Sequence, residues 1–245
     1  MFYLVRHSER LDEADRNAWR EYALRQINDP NQLRKEHSIL ADPPVTPNGL
    51  QIAHHAGDSL TRLITEHHPT ASSDTLKLRI YSSRLMRCLQ TSICLARKLG
   101  LKEIYVSRGL ALTAAAVERI ADEFDFLSIS EIIRITGGEF TIYECDETEV
   151  EHGIHPRDWY HALHDVSRHN PEIIKIVVAH RETIRNLLPT TPRLPYCAIA
   201  LCHHTHSEEG ALGRSSIERS SYFHIPVIYD CHGKEIHSFK KVDHK

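Results

Sequence analysis

Three short apolar runs in the chain each end abruptly in polar residues. They are FYLV before Arg6, LRIY before Ser82, and IIKIVVA before His180. Runs of this length that are rich in β-branched residues are typical of buried parallel strands. Segments of helical period lie between them, at about 48–67, 84–98, 115–134, 157–169 and 181–188. We therefore expect an α/β fold with three layers, in which helices cover both faces of a mostly parallel central sheet.

Other segments carry turn and loop signals. Residues 31–49, which contain ADPPVTPNG, are predicted to form a loop because proline lacks an amide donor and Asn-Gly is a turn pair. The stretch 137–156 begins with two glycines and is predicted to leave the sheet, and the Gly- and Ser-rich stretch 207–221 to be a mobile loop. SYFHIPVIYD and KEIHSF, joined by CHG, predict a closing hairpin with Pro226 at an edge.

Length and composition narrow the class of protein. A chain of 245 residues can bury one substantial core, so we expect a single domain over 1–245 with inserted segments near 11–47 and 105–160. A net charge of −3 does not indicate a nucleic-acid partner. No apolar run approaches the roughly 20 residues that span a bilayer, and the N-terminus carries no signal-peptide pattern. Six cysteines without CxxC spacing favour reduced thiols in the cytoplasm, with the nucleus as the alternative.

Histidine is abundant, with 19 copies, and several form clusters such as CHHTH at 202–206. Imidazole and thiolate are zinc ligands, but adjacent histidines do not easily converge on one ion. We therefore expect a solvated loop at 202–206 and no metal site.

The predicted strands bring reactive side chains to one edge of the sheet. His7 and His180 each follow a strand, and ligands of open α/β sheets bind beyond the carboxyl ends of the strands. The remaining predicted strand, LRIY, leads into a helix whose predicted first turn carries Arg84 and Arg87. Helix N-termini and guanidinium forks both favour phosphate. The residues therefore predict a phosphate-sized pocket lined by two histidines and at least two arginines.

These motifs resemble those of the histidine phosphatase superfamily, and more narrowly the suppressor-of-T-cell-receptor-signalling (Sts) type of phosphatase domain. RHSERLD followed by AW is similar to the Sts-type RHGERVD…W opening, and DPPVTPNGLQIA to its DPPL…G…QA segment. YSSRLMRCLQTS is similar to the S-P-x-L-R-C-x-Q-T helix, IVVAHRETI to the strand that ends in the second histidine, and LPYCAIALC to the late segment. The resemblance runs from residue 3 to about 202 and implies a phosphoglycerate mutase-like fold.

The resemblance also implies roles for residues. His7 would accept the phosphoryl group, Arg6, Arg10 and Arg87 would hold its oxygens, and His180 would assist. The chemistry agrees, because a neutral imidazole nitrogen is a nucleophile and phosphoryl transfer depends on positioning and charge stabilisation. Neither a metal nor another cofactor is expected, and the substrate would be a phosphorylated protein or small molecule. Sts-type domains associate as dimers, so a homodimer is implied as an alternative to a monomer.

Three positions depart from the family pattern. Ser8 replaces the glycine of the Arg-His-Gly motif, and it could narrow the pocket, shift a loop or donate its hydroxyl to phosphate. Arg181 stands where a small residue is usual, and it either adds charge to the pocket or points away. Leu112 occupies the glutamate position of a Gly-Leu-x-Glu pattern that supplies the general acid.

The missing acid shapes the expected activity, since a general acid contributes roughly 10²–10⁴-fold. Glu118 is the nearest downstream carboxylate and the candidate acid, with Asp122 as second choice, although both could equally be charges on a helix surface. We therefore expect slow hydrolysis that favours aryl phosphates such as phosphotyrosine.

The leading hypothesis is a metal-independent phosphomonoesterase that works through a phosphohistidine on His7. A mutase is disfavoured by Arg10 and by the absence of mutase-type segments. The alternative from another class is a pseudophosphatase, which binds phosphorylated ligands or partner proteins without turnover.

Overall fold

The structure, a computed structural model, describes residues 1–69, 76–111, 124–145, 162–163, 166, 170, 172–188, 192–204 and 223–239. The strands in these residues are β1 (Phe2–Arg6), β2 (Leu78–Ser83), β3 (Glu103–Ser107), β4 (Thr141–Glu144), β5 (Ile174–Ala179), β6 (Ile199–His204), β7 (Phe223–Tyr229) and β8 (Glu235–Ser238). They form one eight-stranded sheet in the order β4-β3-β2-β5-β1-β6-β7-β8. Strands β1 to β5 pair in parallel, whereas β6, β7 and β8 join by antiparallel pairs. The sheet is therefore mixed and mostly parallel.

The α-helices of the described residues are α1 (Leu11–Ala14), α2 (Arg16–Ile27), α3 (Glu36–Leu40), α4 (Pro47–His67), α5 (Met86–Lys98), α6 (Ile129–Thr136) and α7 (Arg181–Arg185). Helix α4 begins where Thr46 accepts a hydrogen bond from the Gly49 amide and Pro47 occupies the first turn. Helix α6 begins with a capping box between Ser128 and Glu131 and ends at Gly137 in the left-handed conformation.

The two faces of the sheet carry separate hydrophobic clusters. Along β1, Tyr3 and Val5 belong to the cluster that includes residues of α4, α5 and α6, whereas Phe2 and Leu4 belong to the cluster that includes residues of α7. Alternate side chains of a strand point to opposite faces, so both faces are buried. The predicted three-layer α/β/α class with a mostly parallel sheet is confirmed.

Several predicted elements are confirmed. The three apolar runs form β1, β2 and β5, the helical segments near 48–67 and 84–98 form α4 and α5, and the closing hairpin is the antiparallel pair of β7 and β8. The segments predicted at 115–134 and 157–169 lie partly outside the described residues, and the predicted loop 207–221 lies wholly outside them.

Four local predictions are wrong. Residues 31–49 are not a continuous loop, because α3 lies within them and α4 begins at Pro47. The stretch 137–156 does not leave the sheet at once, since β4 pairs with β3. Pro226 lies in β7 between two partner strands, where the pairing with β6 shifts register, so its missing amide donor falls at an irregularity instead of an edge. Residues 202–204 belong to β6 instead of a solvated loop.

The division into one domain with insertions near 11–47 and 105–160 stays a prediction. The structure adds that β3 and β4, which overlap the second of these segments, are part of the main sheet.

Candidate active site

The carboxyl ends of β1 and β5 bring His7 and His180 next to each other. The two strands pair in parallel with Arg6 opposite Ala179, and the His7 amide donates to the Ala179 carbonyl at 3.0 Å. The centroids of the two imidazole rings are 5.5 Å apart. Both histidines are buried, at 4% and 6% exposure.

Arg87 reaches the same edge from the helix that follows β2. Strand β2 pairs in parallel with β5, and α5 begins three residues after β2 ends. Arg87 lies in the first turn of α5, and its Nη2 donates to Nδ1 of His180 at 3.4 Å. Three strand ends therefore bring together four of the predicted site residues: Arg6, His7, Arg87 and His180.

A hydrogen bond determines which nitrogen of His7 carries the proton. Nδ1 lies 2.8 Å from the backbone carbonyl oxygen of Ser8, and because a carbonyl only accepts, Nδ1 is the donor. The lone pair of the neutral ring is then on Nε2, which has no hydrogen-bond partner among the described residues. Burial lowers the pKa of His7 well below its usual value, and the charge of Arg87 lowers it further. His7 is therefore a neutral imidazole with an available nucleophilic nitrogen.

His180 has the opposite tautomer. Its Nδ1 accepts from Arg87, since a guanidinium only donates, so Nε2 carries the proton and donates to Oγ of Ser83 at 3.2 Å. Burial, and then the charge of Arg87, lower the pKa of His180 well below its usual value. Behind the ring, Sγ of Cys88 lies 3.7 Å from Nε2, and burial raises the pKa of this thiol to about 12. The thiol is therefore neutral, and a neutral thiol is a poor nucleophile.

Three guanidinium N–H groups at this edge are buried without a hydrogen-bond partner. They are Nε of Arg6 and both Nε and Nη1 of Arg87. Nη1 of Arg87 also lies 3.6 Å from a carboxylate oxygen of Asp42, which leaves Nε of each arginine available to an acceptor outside the chain. Oxyanions are the acceptors that guanidinium groups bind most strongly. The donors at this sheet edge are therefore suited to a phosphate-like anion.

Arg10, which was predicted to hold phosphate, is paired with two acids. Its Nη1 lies 3.1 Å from a carboxylate oxygen of Glu13, and its Nη2 lies 2.5 Å from one of Asp12. The charge of Arg10 still contributes to the lowered pKa of His180. Arg10 is thus close enough to affect His180, but carboxylates occupy its donors.

The guanidinium of Arg84 binds Leu127 and Glu144 and does not join the two histidines, so this part of the prediction is wrong. Its Nε donates to the Leu127 carbonyl at 3.0 Å, and its Nη1 binds Glu144. The physical reason is that α5 begins at Met86, so Arg84 precedes the helix and does not share the helical face of Arg87.

Ser8 uses its hydroxyl within the protein. Oγ donates to the Gly49 carbonyl at 2.6 Å, and the Ser8 amide donates to Oγ1 of Thr91 at 3.0 Å. Among described non-glycine residues, those with positive φ are Asn170 and Cys197, so Ser8 needs no glycine-like backbone. The alternative in which Ser8 donates its hydroxyl to phosphate is therefore wrong, because that proton is already used.

Tyr196 packs beside Arg6 and His7, a contact that sequence reasoning did not assign. Its ring centroid lies 4.1 Å from Cζ of Arg6 and 6.3 Å from the ring centroid of His7. Its hydroxyl donates to Glu13. Burial and this carboxylate raise the pKa of Tyr196 to about 12, so the phenol stays protonated.

The predicted acids and the third departure from the family pattern lie outside the described residues. Leu112, Glu118 and Asp122 all belong to the segment 112–123. Arg181 is described, and it points to its neighbour: its Nε and Nη2 lie 2.9 and 2.8 Å from one oxygen of Glu182.

Asp42 and Thr91 are further residues that sequence reasoning did not assign to the site. Thr91 donates to the Arg87 carbonyl at 2.7 Å and accepts from the amide of Ser8, so it ties α5 to the segment after β1. Asp42 lies 3.6 Å from Arg87. Both residues belong to the motifs quoted above, and this was the only sequence signal that pointed to them. Their contacts depend on packing between segments that are far apart in the sequence.

Within the described residues, no group of three or more His, Cys, Asp or Glu side chains could hold a metal ion. This covers Cys202 and His203 of the CHHTH cluster, whereas 205–206 lie outside the described residues. No helix in the described part of the chain is long and apolar enough to cross a bilayer.

Comparisons with known proteins add a structural relative. No protein-family model matches the sequence, and no curated protein matches it. Among solved structures, the chain is similar to the ecdysone phosphate phosphatase from Bombix mori in complex with tungstate, with a TM-score of 0.51, 18% identity, and coverage of 87% of this chain and 96% of that one. The two proteins share a fold. The predicted phosphoglycerate mutase-like α/β fold is thereby confirmed, whereas identity this low says nothing about Sts-type specificity.

A second solved structure, titled Mycobacterial hydrolase 1, aligns with a TM-score of 0.39 and 16% identity over 81% of this chain and 89% of that one. This likeness is too weak to support a conclusion.

Proposed function

We propose that the protein is a metal-independent phosphomonoesterase that acts through a phosphohistidine on His7. One observation carries the proposal: the unpaired Nε2 of a buried, neutral His7 lies at the same sheet edge as the unpaired N–H groups of Arg6 and Arg87. A nucleophilic nitrogen beside unpaired guanidinium donors is the combination that phosphoryl transfer requires.

The reaction follows from this geometry in two steps. Nε2 of His7 attacks phosphorus, and the N–P bond forms as the bond to the ester oxygen breaks. Arg6 and Arg87 stabilise the charge on the phosphoryl oxygens, and the Nδ1–H bond to the Ser8 carbonyl stabilises the positive charge that the ring acquires. Water then attacks the phosphohistidine, which releases inorganic phosphate and restores the neutral ring.

The leaving oxygen needs a proton, and Glu118 remains the candidate donor with Leu112 at the family's acid position. If no carboxylic acid reaches the site, a phenolate leaves far more readily than an alkoxide, because its conjugate acid has a pKa near 10. We therefore keep the prediction of slow turnover with a preference for aryl phosphates.

The shared fold supports a phosphate ester as the substrate class. The structure with that fold is an ecdysone phosphate phosphatase in complex with tungstate, which is an oxyanion. Phosphorylated proteins and phosphorylated small molecules both fit the proposal. The predicted homodimer and the cytoplasmic location remain part of it as proposals.

A binding protein without turnover is the second candidate. The unpaired donors of Arg6 and Arg87 would hold a phosphorylated ligand whether or not an acid is present. Leu112 favours this candidate, while the free Nε2 of His7 favours the enzyme.

Hydrolysis of p-nitrophenyl phosphate between pH 5 and 8 with EDTA present tests the enzyme. We expect activity in the wild type, a loss of about 10³-fold or more in His7→Ala, and no change in His54→Ala, which removes an exposed histidine of α4. Because the pKa of His7 is well below 6.5, we expect no fall in kcat/KM from its protonation between pH 7 and 6.

Acid-labile, alkali-stable labelling of the wild type by a radioactive phosphate ester would identify the phosphohistidine, and His7→Ala should not be labelled. Full activity in His7→Ala would overturn the proposal. A folded wild type that binds vanadate but has no turnover would replace it with the binding candidate.

A further inference from the structure

The carboxyl group of Asp42 is fully buried between two arginines. Its side chain is 0% exposed, and Oδ2 lies 3.0 Å from Nη2 of Arg34. Oδ1 lies 3.6 Å from Nη1 of Arg87, whose side chain is 11% exposed. A buried carboxylate persists when it is both paired and hydrogen-bonded, and Asp42 satisfies both conditions.

Asp42 also holds the start of α5. The backbone amide of Met86 donates to Oδ1 of Asp42 at 2.8 Å. Met86 is the first residue of α5, and the side chain of the N-cap residue, Leu85, accepts no hydrogen bond from the helix amides. A carboxylate is favourable at a helix N-terminus because of the free amides and the helix dipole. One carboxyl group therefore contacts both the backbone that carries Arg87 and its guanidinium.

Arg34 in turn holds Asp42 from outside the catalytic edge. Its Nε donates to the Asp125 carbonyl at 2.8 Å, and its Nη2 donates to the Ser38 carbonyl at 3.1 Å. These bonds tie Arg34 to α3 and to the segment that leads to α6. Asp42 is therefore located by contacts that do not involve the two histidines.

We infer that Asp42 is a positioning residue that acts through Arg87. It faces Nη1 and so aligns the guanidinium, with Nη2 at His180 and Nε left without a partner for a phosphoryl oxygen. Asp42 itself does not touch the substrate. The inference deepens the proposed function and rests on it.

Asp42→Asn is the decisive variant. The amide oxygen can still accept from the Met86 amide, but the charge that faces Arg87 is gone. We expect kcat/KM for p-nitrophenyl phosphate to fall by about 10- to 100-fold and the inhibition constant of vanadate to rise. Asp58→Asn is the matched control, since Asp58 is 58% exposed on α4 and pairs with Lys98; it should leave both values unchanged.

A double-mutant cycle with Arg87→Ala separates positioning from a general structural role. If Asp42 acts through Arg87, adding Asp42→Asn to Arg87→Ala should cause no further loss of kcat/KM. A structural role would give losses that multiply, and that result would overturn the inference. So would a folded Asp42→Asn with the kcat/KM and vanadate inhibition of the wild type.

A second variant covers the case in which Asp42→Asn does not fold because two buried cations lose their partner. Asp42→Asn with Arg34→Gln removes one charge of each sign, and the same loss of kcat/KM is expected. Phosphate affinity measured by calorimetry distinguishes the two proposals. A wild type that binds phosphate without turnover overturns only the proposed enzymatic function, and the double-mutant cycle is then measured as phosphate affinity. A wild type that binds no phosphate overturns both the enzymatic function and the role of Asp42.

Discussion

At the scale of single residues, the site depends on where protons are held. The Ser8 carbonyl keeps the proton of His7 on Nδ1, and Arg87 keeps the proton of His180 on Nε2. Neither contact involves a carboxylate as the direct partner of an imidazole. The rings therefore stay neutral, and the positive charge at this edge comes from arginine.

Ser8→Ala should destabilise the fold without disabling the site. The variant removes the hydroxyl that donates to the Gly49 carbonyl at 2.6 Å, and the loss of this bond should lower the free energy of unfolding in urea by about 0.5–1.5 kcal/mol. Since the hydroxyl is already used, kcat/KM for p-nitrophenyl phosphate should stay within about threefold of the wild type.

Ser92→Ala is the matched control for Ser8→Ala, because the Ser92 hydroxyl is buried with no partner. Its removal should cost little or should stabilise. A loss of more than tenfold in kcat/KM in a folded Ser8→Ala would contradict the assignment and would indicate that this hydroxyl meets the substrate.

The sequence allowed the positions of site residues to be predicted better than their hydrogen-bond partners. His7 and His180 could be placed because both follow apolar runs that end at one sheet edge. The pairing of Arg10 with Asp12 and Glu13 could not be predicted, because a guanidinium binds whichever anion lies nearest in space.

At the scale of elements, the start of α4 packs against the segment that follows β1. A Cβ added at Gly49 would lie 2.8 Å from the carbonyl oxygen of Glu9 and 3.2 Å from its amide nitrogen. These are backbone atoms of the segment that carries His7, so they cannot rotate away as a flexible side chain could. The approach of α4 to this segment therefore requires glycine.

Gly49→Ala should displace the segment after β1 and reduce activity. We expect kcat/KM to fall at least about tenfold, because a shift of about 1 Å near reacting groups has large effects, and we expect a lower melting temperature. Steady-state kinetics and thermal unfolding on the same preparation check both effects.

Gly57→Ala is the control within the same helix. A Cβ there would lie 2.7 Å from Cβ of Lys98, so the variant should lower the melting temperature through the contact between α4 and α5. Activity per folded molecule should be unchanged. Equal losses of activity in Gly49→Ala and Gly57→Ala would contradict a specific link between Gly49 and the site.

Strand prediction succeeded where a run was mostly apolar and failed for β4, where no residue is fully buried. Every residue of β1 and β5 is buried, and apart from Arg6 and Lys175 both strands consist of apolar residues. Strand β4 alternates between exposed and partly buried residues at one end of the sheet, and it follows two glycines. Its pairing with β3 is a tertiary effect that the local pattern does not contain.

At the scale of the whole molecule, two buried neutral histidines link folding to pH. The native pKa values of His7 and His180 lie well below 6.5, mainly through burial, whereas the unfolded chain titrates near 6.5. Below pH 6.5 the unfolded state therefore binds more protons than the native state. Stability contributed by each neutral ring is present above this pH and is lost as pH falls toward the native pKa.

His180→Gln should reduce this pH dependence. Between pH 6.5 and 5.5 each histidine should lower the free energy of unfolding by about 1 kcal/mol, so the variant should lose about 1 kcal/mol less than the wild type over this interval. Urea unfolding at both pH values gives the comparison, in which all other titrating groups are shared. Identical slopes would mean that the native pKa of His180 is close to its value in the unfolded chain.

The strand order has a consequence for how the protein is made. Strand β5 lies between β1 and β2 in the sheet, yet about 90 residues separate it from β2 along the chain. During synthesis, β1, β2 and α5 leave the ribosome well before their central neighbour exists. Until β5 inserts between them, His7 and Arg87 have no common edge, and two strand edges stand open to wrong partners. The candidate site therefore forms late in folding, and we expect the nascent chain to be most exposed to aggregation just before it forms.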